Sequence, residues 1–395
     1  MFKSVNQAKV KAGNFVEPAR RLGLPCFLFL GYFYSSWLVM AYIPIYFTDL
    51  GFSHFQVSVL ISIFPLSSLI LTAPFGIFSD RLSPKKLVSA SLAIFASFLF
   101  GLRYVKEFWL LFLLFTLGGT GNALFRVSIP ALYYKFLGEN RKGTKLGLFN
   151  GIGLLGWGLG PLTGGYLLEN LDMVSLFGIA FLILLPFFFL SFLLEDIEPI
   201  KFELAEYKKD MFRKDVLVLV VLTFLIALHL GAEQTSLSLF LENNIGLDWS
   251  SIGNMFLFLG LGISTMSIIN GFVQDNATAR GKSLSLFLYL GVFLSGLFNV
   301  SLLFTHSFRT VLLVRLFHVL GDSLFMISRS TLISDLFLVE RIGGNLGLFQ
   351  TVLTLGIFVG SLISGAIPGY LYPFVFAGSI ALLSLPFVWL VRPKF

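Results

Sequence analysis

The run Lys145-Leu146-Gly147-Leu148-Phe149-Asn150 returns about two hundred residues later as Asn345-Leu346-Gly347-Leu348-Phe349-Gln350. Around it, Gly121, Leu124, Phe125, Arg141, Gly143, Gly156, Gly160 and Gly165 recur at the same offset as Gly321, Leu324, Phe325, Arg341, Gly343, Gly356, Gly360 and Gly365. Earlier in each half the offset shortens: Leu50-Gly51-Phe52 answers to Ile245-Gly246-Leu247, Gly76 to Gly271, Asp80 to Asp275 and Gly101 to Gly296. A chain that repeats itself in apolar, helix-forming material folds as two equivalent units and directs attention to the seam between them.

That material is not made for water. Hydrophobic residues make up 56% of the chain, charged residues 12%, and the mean hydropathy is +0.87. Forty-seven phenylalanines cannot be hidden from solvent in a chain of 395 residues, whereas lipid accepts them outside. A single cysteine, Cys26, excludes a disulfide framework. Four scattered histidines with no HExxH or CxxC pattern predict no metal centre, and no phosphate-cradling glycine loop or other cofactor motif is present. The basic residues sit mostly in short loops between apolar runs, so topology explains the pI near 9.4 better than nucleic acid does.

Apolar runs of about 20 residues cross a bilayer as helices, because the backbone must satisfy its own polar groups there. Twelve are expected, over 24–47, 57–78, 87–104, 108–134, 146–168, 173–194, 216–241, 250–273, 283–304, 310–337, 346–367 and 371–391. The first is too long and too weakly bounded for a cleaved signal peptide. With the N-terminus inside, the inner loops collect Lys3, Lys9, Lys11, Arg20, Arg21, Arg81, Lys85, Lys86, Lys135, Arg141, Lys142 and Lys145, and later Lys201, Lys208, Lys209, Arg213, Lys214, Arg280, Lys282, Arg341, Arg392 and Lys394. The outer loops keep only Arg103, Lys106 and Arg309, so both termini are expected in the cytoplasm. The polar stretch 195–215 reads as a connector between six-helix halves at 1–194 and 216–395.

Between spans 2 and 3 lies Gly76-Ile77-Phe78-Ser79-Asp80-Arg81-Leu82-Ser83-Pro84-Lys85-Lys86, and its later copy keeps Gly271, Asp275 and Arg280. This resembles the loop signature G-x-L-A-D-R-x-G-R-K-x of the major facilitator superfamily (MFS), with Ser83 and Pro84 replacing the expected glycine and basic residue. The resemblance covers nearly the whole chain. It implies an all-α membrane fold of twelve helices in two pseudo-symmetric bundles, normally monomeric, with no enzymatic activity. It also implies a cytoplasmic latch, in which the acid matching Asp80 lies near the N-terminus of helix 11, whose dipole favours negative charge.

Span 5 carries Gly156-Trp157-Gly158-Leu159-Gly160-Pro161-Leu162-Thr163-Gly164-Gly165. It resembles the G-x-x-x-G-P-x-x-G-G signature of the drug/proton antiporter branch. Gly156, Gly160 and Gly164 fall four apart, so a neighbouring helix can approach closely, and Pro161 removes a backbone donor. Gly165 completes the motif. The end of span 1, Pro44 to Gly51, is also similar to exporters, yet no acid lies between Leu22 and Phe47, where many exporters place one.

Ionisable residues inside a bilayer cost roughly 2.5–3.5 kcal/mol each, so they face a cavity or a partner. Arg315, His318, Asp322 and Arg329 of span 10 fall within an arc of about 60° on a helical projection, a polar stripe. Span 4 has Asn122 and Arg126 one turn apart, and span 7 has His229 and Glu233 one turn apart, with Gln234 following. The resemblance implies that spans 1, 4, 7 and 10 line a central cavity, to which span 1 would add Tyr32, Tyr34 and Trp37. Trp157 reads as a packing residue. Glu233 and Asp322 are the expected proton carriers, since desolvation pushes a carboxylate toward working pH. The reading that results is a secondary active transporter in the plasma (inner) membrane, exporting an amphipathic organic solute against protons. The alternative is proton-coupled import of a polar or anionic nutrient, such as a sugar, nucleoside or organic acid, which the arginines would suit. A membrane enzyme finds no nucleophile–base pair, and a sensor no signalling domain.

Overall fold

The computed structural model describes residues 16–138, 140–195, 207, 209–210 and 212–388. Most of the expected connector, together with Lys3, Lys9, Lys11, Arg392 and Lys394, lies outside the described residues, as does the side chain of Arg81. The first half runs α1 (Val16–Met40), α2 (Ile43–Asp49), α3 (His54–Arg81), α4 (Pro84–Gly101), α5 (Phe108–Lys135), α6 (Lys142–Leu168) and α7 (Met173–Ser191). The second runs α8 (Lys214–Asn243), α9 (Trp249–Ala279), α10 (Ser285–Val300), α11 (Phe308–Leu336), α12 (Ile342–Ala366), α13 (Tyr372–Leu383) and α14 (Leu385–Val388). Among the described residues every element is helical. The first crossing is α1 plus α2, broken at Ala41-Tyr42 just before Pro44, whose ring cannot continue a helix that precedes it. The last crossing breaks at Ser384 before Pro386 in the same way.

Among the described residues, ten spans are long and apolar enough to cross a membrane. The two remaining crossings have local reasons to fall short. α6 is 27 residues long but thick with glycine, which lowers its hydropathy, and the last is divided. Four helices that begin on the sparsely charged face, α3, α7, α9 and α11, carry side-chain caps. Ser53 and Ser307 make capping boxes with Gln56 and Thr310, while Asp172 and Asp248 accept from the backbone N–H of Ser175 and Ser251, each at 2.8 Å.

In lipid there is no hydrophobic drive to bring helices together, so close packing of small residues does it. The halves meet along two such seams, α3 on α12 and α6 on α9. A Cβ placed on Gly76 would lie 2.8 Å from the Gly347 Cα, and one on Gly158 would lie 2.7 Å from the Gly260 Cα. Only glycine permits either approach. α6 uses its other face within its own half: Gly156 and Gly160 press on the α1 backbone at Leu30–Tyr34 and Tyr34–Leu38, and Gly164 on Leu38 and the Tyr42 ring. The Tyr42 hydroxyl donates to the Pro161 carbonyl at 2.6 Å, with the Trp249 carbonyl 3.2 Å away, tying three helices at one point.

On the basic face two matching contacts join the halves. Asp80, at the end of α3, accepts from Gly343 N–H at 3.3 Å and Gly344 N–H at 2.7 Å, at the start of α12. Asp275, near the end of α9, accepts from Gly143 N–H at 2.9 Å and from the N–H and hydroxyl of Thr144 at 2.8 and 2.7 Å, at the start of α6. Each half thus places a carboxylate on a helix N-terminus of the other, where unpaired N–H groups and the dipole favour it.

Candidate functional site

α1, α5, α8 and α11 surround the middle of the molecule, and a cavity of about 190 Å³ opens there. One wall is aromatic. Trp37 of α1, Trp157 of α6 and Phe256 of α9 stand with ring centroids 5.4–6.1 Å apart, and Phe33 extends the surface. Trp157 is therefore a cavity residue, not the packing residue its glycine-rich setting suggests. A smaller adjoining space of about 60 Å³ is lined by Tyr32, Asn122, Arg126 and Gln234, with Trp37 shared. Tyr32 donates its hydroxyl to Asn122 Oδ1 at 2.8 Å.

The opposite wall is ionic. Glu233 of α8 receives Arg315 Nη2 at 2.5 Å and His318 Nε2 at 3.0 Å on the same oxygen. His318 Nε2 is also 3.1 Å from Asp322 Oδ2, which His229 Nε2 approaches to 3.3 Å. Nδ1 of His318 faces the Ser295 carbonyl at 2.9 Å, and Arg315 Nη1 donates to Asn299 Oδ1 at 3.1 Å. A carbonyl accepts only, so Nδ1 carries a proton. Nε2 then stands between two carboxyl groups, an attractive position when a proton lies between them, on Nε2 or on a facing oxygen. Asp322 Oδ1 and His229 Nδ1 are buried without a hydrogen-bond partner.

The sequence stripe on α11 is thus one face of a two-helix network, with His318 at its hub and wholly buried behind the acids. Of the expected cavity residues, Tyr32, Trp37, Asn122, Arg126, His229, Glu233, Gln234, Arg315, Asp322 and Arg329 line the two spaces. Tyr34 does not line them. Two residues beyond Tyr32 the helix has turned by about 200°, and its hydroxyl donates to Thr163 Oγ1 on α6 at 3.0 Å. In the latch, the cation on Asp80 is Lys135 at 2.9 Å, with Tyr207 also donating at 2.9 Å. Lys86 is exposed, and Lys85 lines a separate pocket beside Arg21. Lys135 and Tyr207 carried no sequence signal beyond charge and polarity. Phe256 carried none at all.

Donor atoms of His229, Glu233, His318 and Asp322 lie within 4.8 Å of one another, the spacing a metal ion requires. Two of the four histidines scattered in sequence, His229 and His318, are thus adjacent in space. Oε1 of Glu233 is taken by Arg315 and His318, and Oδ2 of Asp322 by His318 and His229, so the donors stand as paired charges.

The fold and this ionic cavity between two helical halves define a membrane transporter, not an enzyme. The family model for the Major Facilitator Superfamily matches residues 26–298 and 283–395, and the chain belongs to that family. Among its relatives, Quinolone resistance protein NorA of Staphylococcus aureus (strain MSSA476) is 23% identical over 84% of this chain and 85% of its own length. Multidrug resistance protein 2 of Bacillus subtilis (strain 168) is 25% identical over 89% of this chain and 90% of its own. Among solved structures, the human organic anion transporter MFSD10 (TETRAN) superimposes with a TM-score of 0.75 at 15% identity, covering 94% of this chain and 99% of that one. That likeness bears on the fold.

Proposed function

We propose that the chain is a proton-coupled exporter of an amphipathic organic solute, resident in the plasma membrane with both termini in the cytoplasm. Halves 1–194 and 216–395, joined by 195–215, would rock as a monomer about the cavity between them. The efflux-pump relatives support export, as does the glycine–proline motif of α6. The observation that carries the reading is one junction: carboxylates from two facing helices converge on one imidazole nitrogen at the cavity wall, opposite an aromatic surface.

The chemistry follows from that junction. A proton on His318 Nε2 bonds to both Glu233 and Asp322 and draws α8 and α11 together. Its departure leaves acceptors facing acceptors, which separates them. A solute against the aromatic wall occupies space next to the same carboxylates, so solute and proton exclude one another. Exchange results when each can be released only on its own side. Asp80 and Asp275 hold the basic face shut until α3 and α9 slide from the helix ends they cap.

The test is purified protein in proteoliposomes carrying an imposed pH gradient and an internal pH dye, challenged with aromatic dyes of differing charge. Solute movement coupled to opposite proton movement is expected, and lost in Glu233→Gln. Solute flux with no proton movement, identical in Glu233→Gln and wild type, would reject the coupling.

A further inference from the structure

We infer that the solute carries an anionic group and that Arg126 and Arg329 receive it. The inference rests on reading the cavity as the transport site and adds the chemical class of what enters it. Four other cations in the interior or at the basic face have acids of their own: Arg315 has Glu233, Lys135 has Asp80, Lys142 has Asp335 and Arg341 has Asp210, all within 3.1 Å. Arg126 and Arg329 are different. Both line the 190 Å³ cavity and a further space of about 110 Å³ beside it, from facing helices α5 and α11. Among the described residues neither meets a carboxylate. Arg126 lies over the Phe33 ring at 5.8 Å from its centroid, and the Arg329 Nε is buried with no hydrogen-bond partner. The two acids that face the same cavity are taken, Glu233 by Arg315 and His318, Asp322 by His318 and His229.

Two guanidiniums held in a low-dielectric chamber without counter-charge repel one another and have given up water for nothing, unless something else supplies the negative charge. A guanidinium presents a planar fork that fits a carboxylate, sulfonate or phosphate bidentately. Trp37, Trp157 and Phe256 stand on the wall of the same cavity and offer flat apolar surface. The ligand that satisfies both walls has a lipophilic, preferably aromatic body and one anionic end. Arg126 belongs to the first half and Arg329 to the second, so an anion between them bridges the halves, and its departure leaves them repelling across the seam.

Isothermal titration of the full chain in phosphatidylcholine nanodiscs tests this with three probes of one shape: 2-naphthoate, 2-naphthalenemethanol and 2-naphthylmethylamine. Wild-type protein should bind naphthoate about tenfold or more tighter than the alcohol, the scale of one charge-assisted hydrogen-bonded pair. Arg126→Gln and Arg329→Gln should each weaken naphthoate several-fold more than the alcohol, with thermal unfolding reporting separately that the variants are folded. Wild-type binding of naphthoate no tighter than the alcohol overturns the inference, and this comparison needs no variant. So does wild-type naphthoate affinity in both variants. Proton-driven export of naphthylmethylamine without any anion preference sinks this inference and leaves the exporter reading standing. Anion preference without proton-driven flux does the reverse.

Discussion

Glu233 accepts from Arg315 and His318 on a single oxygen, with only 11% of its side chain exposed. Removing its charge strands the Arg315 guanidinium in the membrane interior and leaves His318 only Asp322, which costs far more than the pair contributes when intact. Glu233→Gln should therefore lower stability by about 3–5 kcal/mol, read as thermal unfolding in detergent, as well as abolish coupling. Arg315→Gln should cost a similar amount. In the double variant Glu233→Gln/Arg315→Gln neither charge is left alone, so the combined loss should fall short of the sum by about 1–3 kcal/mol. Strict additivity would show that the two do not depend on each other. Transport should stay lost in the double variant, because stability and coupling are separate uses of the same carboxylate. At this scale the sequence was legible in kind and not in pairing. Residue types and the 3.6-residue period placed Arg315, His318 and Asp322 on one face of α11. Which acid meets which base depends on how α8 is rotated against it across a sequence separation of 82, and no period in either helix encodes that. Tyr34 misleads for a simpler reason: its neighbours Tyr32 and Trp37 point into the cavity, and a helix cannot point all three there.

Along single helices, the glycines of α6 carry two unlike contacts. Gly158→Ala would put a methyl 2.7 Å from the Gly260 Cα and 2.9 Å from the Phe256 carbonyl, on the seam between halves. Forcing the helices apart should cost about 1–3 kcal/mol and depress transport with it. Gly23→Ala in α1 meets nothing within 4 Å and should raise stability by up to about 1 kcal/mol, because alanine holds a helix better. Equal thermal shifts for the two would contradict the packing argument. The caps on the sparsely charged face give a pH dependence of known sign. Asp172 and Asp248 lie outside the spans, and hydrogen bonds from Ser175 and Ser251 to their charged forms hold both carboxyls below the ordinary value. A depressed carboxyl contributes stability above the unfolded value, near 3.9, and loses it as pH falls through that value to the folded one. Melting temperature should drop between about pH 4 and pH 3 less steeply in Asp172→Asn/Asp248→Asn than in wild type. Parallel curves would remove the caps from the account. Helix positions were readable from apolar length alone, whereas the breaks at Tyr42 and Ser384 came from Pro44 and Pro386, which hydropathy does not weigh.

Across the whole molecule, the internal repeat and the asymmetry of basic residues announced two equivalent helical halves, and the matched acids Asp80 and Asp275 sit at equivalent helix ends in the structure. Their basic partner was less legible. Lys135 reaches Asp80 from α5 because the bundle brings a distant stretch of chain back beside it, while the nearer Lys85 and Lys86 face elsewhere. Weakening one latch should shift the balance between forms without disturbing the cavity. Asp80→Asn is expected to leave naphthoate affinity within about threefold of wild type while making the basic face more accessible to a membrane-impermeant thiol reagent at an introduced cysteine. No gain in labelling would mean that the contact does not hold that face closed. The claim on which the rest depends is that the two halves move against each other under control of the Glu233–His318–Asp322 junction. With Cys26 replaced by serine, spin labels at exposed Lys86 and Glu340 report the distance between halves across the basic face by pulsed electron–electron resonance. Two distance populations whose ratio changes between pH 8 and pH 5.5 in wild type, and does not change in Glu233→Gln, are the predicted result. One distance, the same at both pH values in both proteins, would contradict the account.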